Sequence, residues 1–248
     1  MQLATFRMGK DFILHDAGIL CDARTPPQIG PAWFNGAFWR ARDAIVGQAP
    51  GRGASLFVDP SVVGVAEEEW VLRAYRRGGM IARLSEDRYL WTGHERSRAF
   101  RELRLTARLF ERGLPVPRPV AGWVHRHRLG YRAALLTVRL AGARSLADCL
   151  GEADTALLER VGATIRRFHD AGLDHVDLNA RNLLVTPDET VWLIDLDRCR
   201  LRRPGAWRER NLERLERSLA KFAATACSPT IRRGYAARDV SGGAGGRV

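Results

Sequence analysis

The sequence predicts an α+β chain in two parts: a small antiparallel sheet carrying one helix, then a reduced, mostly helical part. Three observations carry this reading. Short runs of period-two alternation, punctuated by Gly and Pro, dominate up to about residue 139. Apolar residues at helical spacing mark one long helix in that first part and dominate the second. Within the second part lies one hairpin, bracketed by two short acidic motifs. We therefore expect a first domain over 1–139, a second over 140–240 and a disordered tail over 241–248, where S-G-G-A-G-G-R-V offers nothing to bury.

Bulk properties narrow the classes. Of 248 residues, 46% are hydrophobic, enough for a real core. The net charge is +12, and Lys occurs only at Lys10 and Lys221, so nearly all of the 40 basic residues are Arg. Their planar forks suit phosphates, and the charge favours an anionic partner: nucleic acid, a membrane surface or a phosphorylated substrate. No nucleic-acid motif is present, so no nucleic-acid partner is expected. Cys21, Cys149, Cys199 and Cys227 form no C-x-x-C pair and fit a reducing compartment. Arg7, Lys10 and Asp11 interrupt any N-terminal signal core. No apolar run reaches membrane-spanning length, so membrane contact would be peripheral.

In chain order, Phe12–His15 reads as an early strand, and Pro26, Pro27 and Pro31 as a loop. Trp33-Phe34 and Phe38-Trp39 form one face of a short helix, serving either core packing or, with Arg40 and Arg42, an interfacial patch. Gly47-Gln-Ala-Pro-Gly51-Arg-Gly53-Ala54 is a glycine-rich turn before Leu56–Val58. Its backbone N–H groups can approach a phosphate or simply close a hairpin. Trp70–Gly79 reads as a basic strand with Val71, Arg73 and Tyr75 on one face. Trp91–Gly113 reads as a helix with a Thr92-x-x-Glu95 capping box and a Phe100, Leu103, Ala107, Phe110 stripe. Glu102 beside that stripe can pair with Arg73 or with a neighbouring Arg of its own helix. Gly113–Pro119 is a stiff connector. Strands follow at Val120–Val124 and Ala133–Arg139, around a basic loop His125–Arg128. Asp154–Asp170 is a helix stopped by Gly172, and Trp207–Ala224 a final helix with a Glu213–Arg217 pair.

The hairpin carries the chemistry. Leu183–Val185 and Val191–Ile194 are its strands and Pro187-Asp188-Glu189 its turn. Asp177 and Asn182 precede the first strand, and Asp195 follows the second, so the bend gathers two carboxylates and an amide oxygen. Oxygen donors of this kind suit magnesium shared with substrate phosphates. Asp177 is then left to orient a hydroxyl nucleophile. Phosphoryl transfer needs such positioning and charge neutralisation more than covalent chemistry.

His175-Val-Asp177-Leu-Asn-Ala-Arg-Asn182 followed by Asp195-Leu-Asp197 resembles the protein-kinase pair H-R-D-L-x-x-x-N and D-F-G. Val176 replaces the Arg, Leu196 the Phe and Asp197 the Gly. The resemblance implies a protein-kinase-like two-lobe fold with Asp177 as catalytic residue and Asn182 and Asp195 as Mg2+ ligands. Gly51, Gly53 and Arg73 would hold the ATP phosphates, with Glu102 as the partner of Arg73. Arg73 stands where kinases carry Lys, and Arg76 is the alternative. Leu135–Arg139 would be the crossing between lobes. No A-P-E follows Asp195, and the remaining chain is short for a protein-docking subdomain, so no protein substrate is expected.

Narrower motifs point further. Arg73-x-Tyr75-Arg-Arg-Gly-Gly79, Phe100-Arg-Glu-Leu-Arg-Leu105, Gly113-Leu-Pro-Val-Pro-Arg-Pro119, Asp177-Leu-Asn-Ala180 and Leu193-Ile-Asp-Leu-Asp-Arg-Cys199 resemble the 3-deoxy-D-manno-octulosonic acid (Kdo) kinases of Gram-negative bacteria, from about Gly47 to Lys221. That resemblance implies ATP-dependent phosphorylation of the Kdo 4-hydroxyl on Kdo–lipid A. The setting would be the cytoplasmic face of the inner membrane, during lipopolysaccharide core synthesis. Arg181, Arg198, Arg200 and Arg202 would then attract the anionic glycolipid and leaflet.

Overall fold

The computed structural model describes residues 1–20, 29–49, 55–65, 68–75 and 89–237. Gly51, Gly53 and Arg76 lie outside the described residues, as does the 241–248 tail. The chain forms two compact units. One comprises Met1–Arg112 and Pro117–Leu140, the other Gly113–Val116 and Ala141–Val248. The short Gly113–Val116 connector thus belongs with the second unit, because Leu193 N–H donates to the Pro115 carbonyl at 2.9 Å.

The first unit is an antiparallel sheet with helices added. Its strands are β1 (Leu3–Met8), β2 (Asp11–Asp16), β3 (Ile45–Gln48), β4 (Leu56–Val58), β5 (Trp70–Ala74), β6 (Tyr89–Leu90), β7 (Pro119–His127) and β8 (Gly130–Val138). They run in the order β1-β2-β7-β8-β5-β4-β3, with β6 also on β8. Short helices α1 (Ala17–Leu20) and α2 (Gly36–Arg40) precede the long α3 (Arg98–Glu111). Alternation along β5 sends Trp70 and Leu72 to one face, into a core with Ile13, Trp33, Trp39, Val120 and Leu136. The other face packs Tyr75, Leu14 and Leu135 against Phe100 and Leu103 of α3.

Four expectations about the elements need correction. The long helix begins at Arg98, not near Trp91, and Ser97 caps it by accepting from Phe100 N–H. Thr92 cannot cap because Gly93, at φ +99, breaks the chain, and Glu95 pairs with Arg104 instead. The aromatic group sits on two elements, a 3-10 turn over Pro31–Phe34 and α2, rather than on one helix face; of its two readings core packing holds, with Trp33, Phe34 and Trp39 buried. Residues 125–127 of the basic loop continue β7, leaving a two-residue turn at Arg128-Leu129.

The second unit holds β9 (Arg144–Ser145), α4 (Leu146–Cys149), α5 (Thr155–Asp170), β10 (Leu173–Asp174), β11 (Leu183–Val185), β12 (Val191–Leu193), β13 (Arg200–Leu201), α6 (Trp207–Ala220) and α7 (Ser228–Ala236). Asp154 caps α5 through Leu157 N–H, and Gly172 (φ +88) ends it as predicted. The final helix stops at Ala220, the fourth correction, and α7 follows it. Glu209 and Glu216 of α6 both take Arg232 of α7. Gly162 of α5 and Gly234 of α7 let the helices approach so closely that a Cβ on either would fall 2.0 Å from a backbone oxygen of the other.

Candidate active site

Local hydrogen bonds in the second unit build the catalytic stretch. β11 and β12 pair antiparallel as Leu183↔Leu193, Leu184↔Trp192 and Val185↔Val191. One step further, Ile194 N–H donates to the Asn182 carbonyl at 3.0 Å. The ladder therefore sets Asn182 beside the residue preceding Asp195. The turn is fixed by Thr186 N–H to Thr190 O at 3.1 Å and Glu189 N–H to Thr186 O at 2.8 Å.

Asn179 organises the other end. Its Oδ1 accepts from Arg181 N–H at 2.9 Å and Asn182 N–H at 3.2 Å, and its Nδ2 donates to the Asp177 carbonyl at 2.9 Å. Asn182 Nδ2 donates to the same carbonyl at 2.9 Å. That commits the amide nitrogen of Asn182 and leaves its Oδ1 outside any hydrogen bond among the described residues. Leu178 and Ala180 are buried between these polar residues. Ala180 is held from two sides, by Ser218 Oγ of α6 at 3.1 Å and by Ala147 N–H at the start of α4 at 3.1 Å. Asp177 is left exposed on this loop, while Asn182 and Asp195 are half-buried.

Asp195 has φ +60, a left-handed conformation that costs a non-glycine residue on the order of 1 kcal/mol and that Asp tolerates better than most. His175 braces this turn. It is buried, and its Nε2 lies 3.1 Å from the Ile194 carbonyl. A carbonyl only accepts, so Nε2 carries the proton. Burial pushes the His175 pKa down against the opposing pull of that carbonyl and of Asp195 and Asp177, so the ring is neutral at pH 7. A neutral imidazole can thus clamp the two acidic motifs together without adding a charge.

One supporting network was not read from the sequence. Asp174, buried just before the loop, accepts from Arg202 at 3.0 Å and from Asn211 Nδ2 at 3.1 Å, and Arg200 lies at 3.6 Å. Burial alone would raise its pKa, but the bonds from Arg202 and Asn211 outweigh it and hold the group below the ordinary range. Arg200 and Arg202, expected to face an anionic substrate, thus neutralise an internal carboxylate. Arg181, by contrast, is exposed over the Phe222 ring, and Arg198 is exposed as well.

In the first unit, Glu102 is buried on α3 and its carboxylate takes both Arg73 and the Tyr75 hydroxyl in short hydrogen bonds. The structure thereby chooses Arg73 over any neighbour on α3. Tyr75 is the member that alternation placed on the right face but left without a role. The Arg73 guanidinium also sits over the Tyr75 ring at 4.8 Å.

Among the described residues, no three His, Cys, Asp or Glu side chains gather into a metal cluster. The pair that fits a cation is Asn182 with Asp195: two oxygen donors of the hard type magnesium prefers, leaving positions for phosphate and water.

An exposed Asp177, an Asn182 amide tied to its carbonyl, and an Asp195 that follows the paired Ile194 bring together the donor types that phosphoryl transfer uses. Comparison with known proteins makes the class specific: the chain belongs to the lipopolysaccharide kinase (Kdo/WaaP) family, whose signature matches residues 36–240. A 3-deoxy-D-manno-octulosonic acid kinase of Xylella fastidiosa (strain M12) is 47% identical over 84% of this chain and 82% of its own length. Its namesake in Xanthomonas euvesicatoria pv. vesicatoria is 46% identical over 94% and 91%. The one in Stenotrophomonas maltophilia is 45% identical over 88% and 86%. Among solved structures, the Cydia pomonella granulovirus kinase PK-1 aligns over 63% of this chain and 52% of its own, with a TM-score of 0.42 and 11% identity.

Proposed function

We propose that this protein transfers the γ-phosphoryl group of ATP to the 4-hydroxyl of Kdo on Kdo–lipid A. The observation that supports the reading is the hairpin register, which sets Asn182 opposite Ile194, the residue before Asp195, while both side-chain amides of the loop donate to the Asp177 carbonyl. The names of the relatives supply the acceptor.

Asp177 holds the acceptor hydroxyl through its carboxylate and takes the proton as the oxygen attacks phosphorus. Asn182 and Asp195 would hold Mg2+, which would supply neutralisation of phosphate charge. Arg73, oriented by Glu102 and Tyr75, holds ATP phosphate oxygens; Gly51 and Gly53, outside the described residues, are the sequence's candidates for backbone N–H contacts to them. The protein works peripherally at the cytoplasmic face of the inner membrane, a setting that its charge of +12 favours. Described helices include none long and apolar enough to cross a membrane.

The test is an acceptor panel with labelled ATP and Mg2+. Label is expected on Kdo–lipid A, at the Kdo 4-hydroxyl. Label only on a heptose-bearing acceptor would make this a heptose kinase, and no transfer to any acceptor would leave a kinase-shaped binding module.

A further inference from the structure

The three most exposed large apolar side chains among the described residues occur together. Leu129 is 82% exposed, Leu90 69% and Met8 50%. All three lie at one end of the first unit's sheet. Leu129 occupies the β7–β8 turn, between the paired residues His127 and Gly130. Leu90 pairs with Gly130, and Trp91 N–H donates to the Leu129 carbonyl at 2.8 Å. The β1–β2 turn lies alongside, because Arg126 N–H donates to the Lys10 carbonyl at 2.9 Å. Met8 enters that turn opposite Asp11.

Cations ring these apolar tips. Arg7, Lys10, Arg126 and Arg128 are all exposed, and among the described residues none of them is ion-paired. The nearest acid on these strands, Asp11, is taken by Trp123 Nε1 at 2.7 Å and His125 Nδ1 at 2.9 Å. Arg126 lies over the half-buried Trp91 ring at 5.5 Å. The two-residue β7–β8 turn, where Gly or Asn is usual, is built from Arg128 (φ +51) and Leu129. A solvated turn has no use for leucine at its tip. Leucines projecting from a collar of Arg and Lys, with an indole at the base, match the layering of a bilayer interface: acyl chains, aromatic belt, anionic headgroups.

We propose that this end of the sheet, Met8–Lys10, Leu90-Trp91 and Arg126–Leu129, is the surface that inserts into an anionic lipid bilayer. The inference deepens the peripheral-membrane part of the function proposed above and is independent of the transfer chemistry.

The experiment is co-sedimentation of the full chain with vesicles of phosphatidylcholine, with and without phosphatidylglycerol, alongside transfer to a water-soluble, deacylated acceptor. Wild type should bind the anionic vesicles and leave the neutral ones largely free. A Leu90→Ser/Leu129→Ser variant should bind anionic vesicles at least tenfold more weakly while keeping its soluble-acceptor rate, which also shows that it folds. Each of Arg126→Gln and Arg128→Gln should cost about fivefold. Undiminished binding by the leucine variant would overturn the proposal. So would binding blind to vesicle charge, or a dimer in vesicle-free buffer that Leu129→Ser dissolves, which would give the tip to a second copy. Loss of soluble-acceptor transfer by wild type would count against the proposed function alone.

Discussion

The two charged clusters proposed for catalysis are built in opposite ways. Asp177, Asn182 and Asp195 belong to one short stretch, and backbone bonds position them: the Asp177 carbonyl accepts two amides, and the Asn182 carbonyl accepts Ile194 N–H. Arg73 and Glu102 are 29 residues apart, and their side chains themselves make the bond that joins strand to helix. In the first cluster the hydrogen bonds that the described residues make around Asp177 use its carbonyl and leave its exposed carboxylate out. The second exists only while its charges do. Side-chain removal should therefore separate activity from stability in the first and couple them in the second.

The largest effect follows from that separation. Asp177→Ala should lower single-turnover transfer by about 10²–10⁴-fold, the range expected for loss of a general base. Its thermal midpoint should stay at the wild-type value, because the exposed carboxylate braces nothing. A matching drop in midpoint would erase the contrast.

Next comes pH. Burial, then the Arg208 charge, push the His169 pKa down to about 4, while its Nδ1 meets Tyr235 Oη at 2.8 Å. The unfolded chain, with an ordinary histidine near 6.5, binds the proton first, so stability falls as pH drops from 6.5 toward about 4. The loss from this group should reach roughly 3 kcal/mol. His175, lowered in the same direction, adds to it. Urea unfolding across that range should show the slope, and His169→Gln should flatten it.

Glu102→Gln should couple the two readouts. It strips the charge partner from a half-buried guanidinium, with an expected loss of about 2 kcal/mol, below the fully buried case because Arg73 retains solvent contact. The KM for ATP should rise in step, as measured by steady-state kinetics beside thermal melts. Smallest is Tyr75→Phe, which deletes one hydroxyl bond to Glu102 for about 1 kcal/mol. An ATP affinity that ignores both changes would detach this cluster from nucleotide binding.

The same contrast explains what the sequence revealed. The hairpin was legible because two-residue periodicity, a Pro-Asp turn and flanking acids all lie within one window. Arg73 and Glu102 were legible only as candidates, since no spacing says which Arg a distant Glu will meet. Tyr75 joined them once the sheet packed under α3. The network of Asp174, Arg202 and Asn211 was invisible for that reason, joining a loop, a strand end and a helix. The helix start was misread because Thr92-x-x-Glu95 has capping-box spacing, while Gly93's positive φ interrupts the chain there and the cap falls at Ser97. The exposed leucines gave no signal either, because exposure at a turn tip is a property of the folded sheet.

The central claim is that Asn182 and Asp195 form one oxygen-donor pair while Asp177 serves the acceptor. Its most direct test is the dependence of transfer rate on Mg2+ concentration for Asn182→Ala, Asp195→Asn and Asp177→Asn. We predict that the first two raise the Mg2+ needed for half-maximal rate, by at least tenfold, and that Asp177→Asn lowers the maximal rate at an unchanged Mg2+ requirement. Equal displacement of the Mg2+ curve by all three, or by none, would contradict the division of labour.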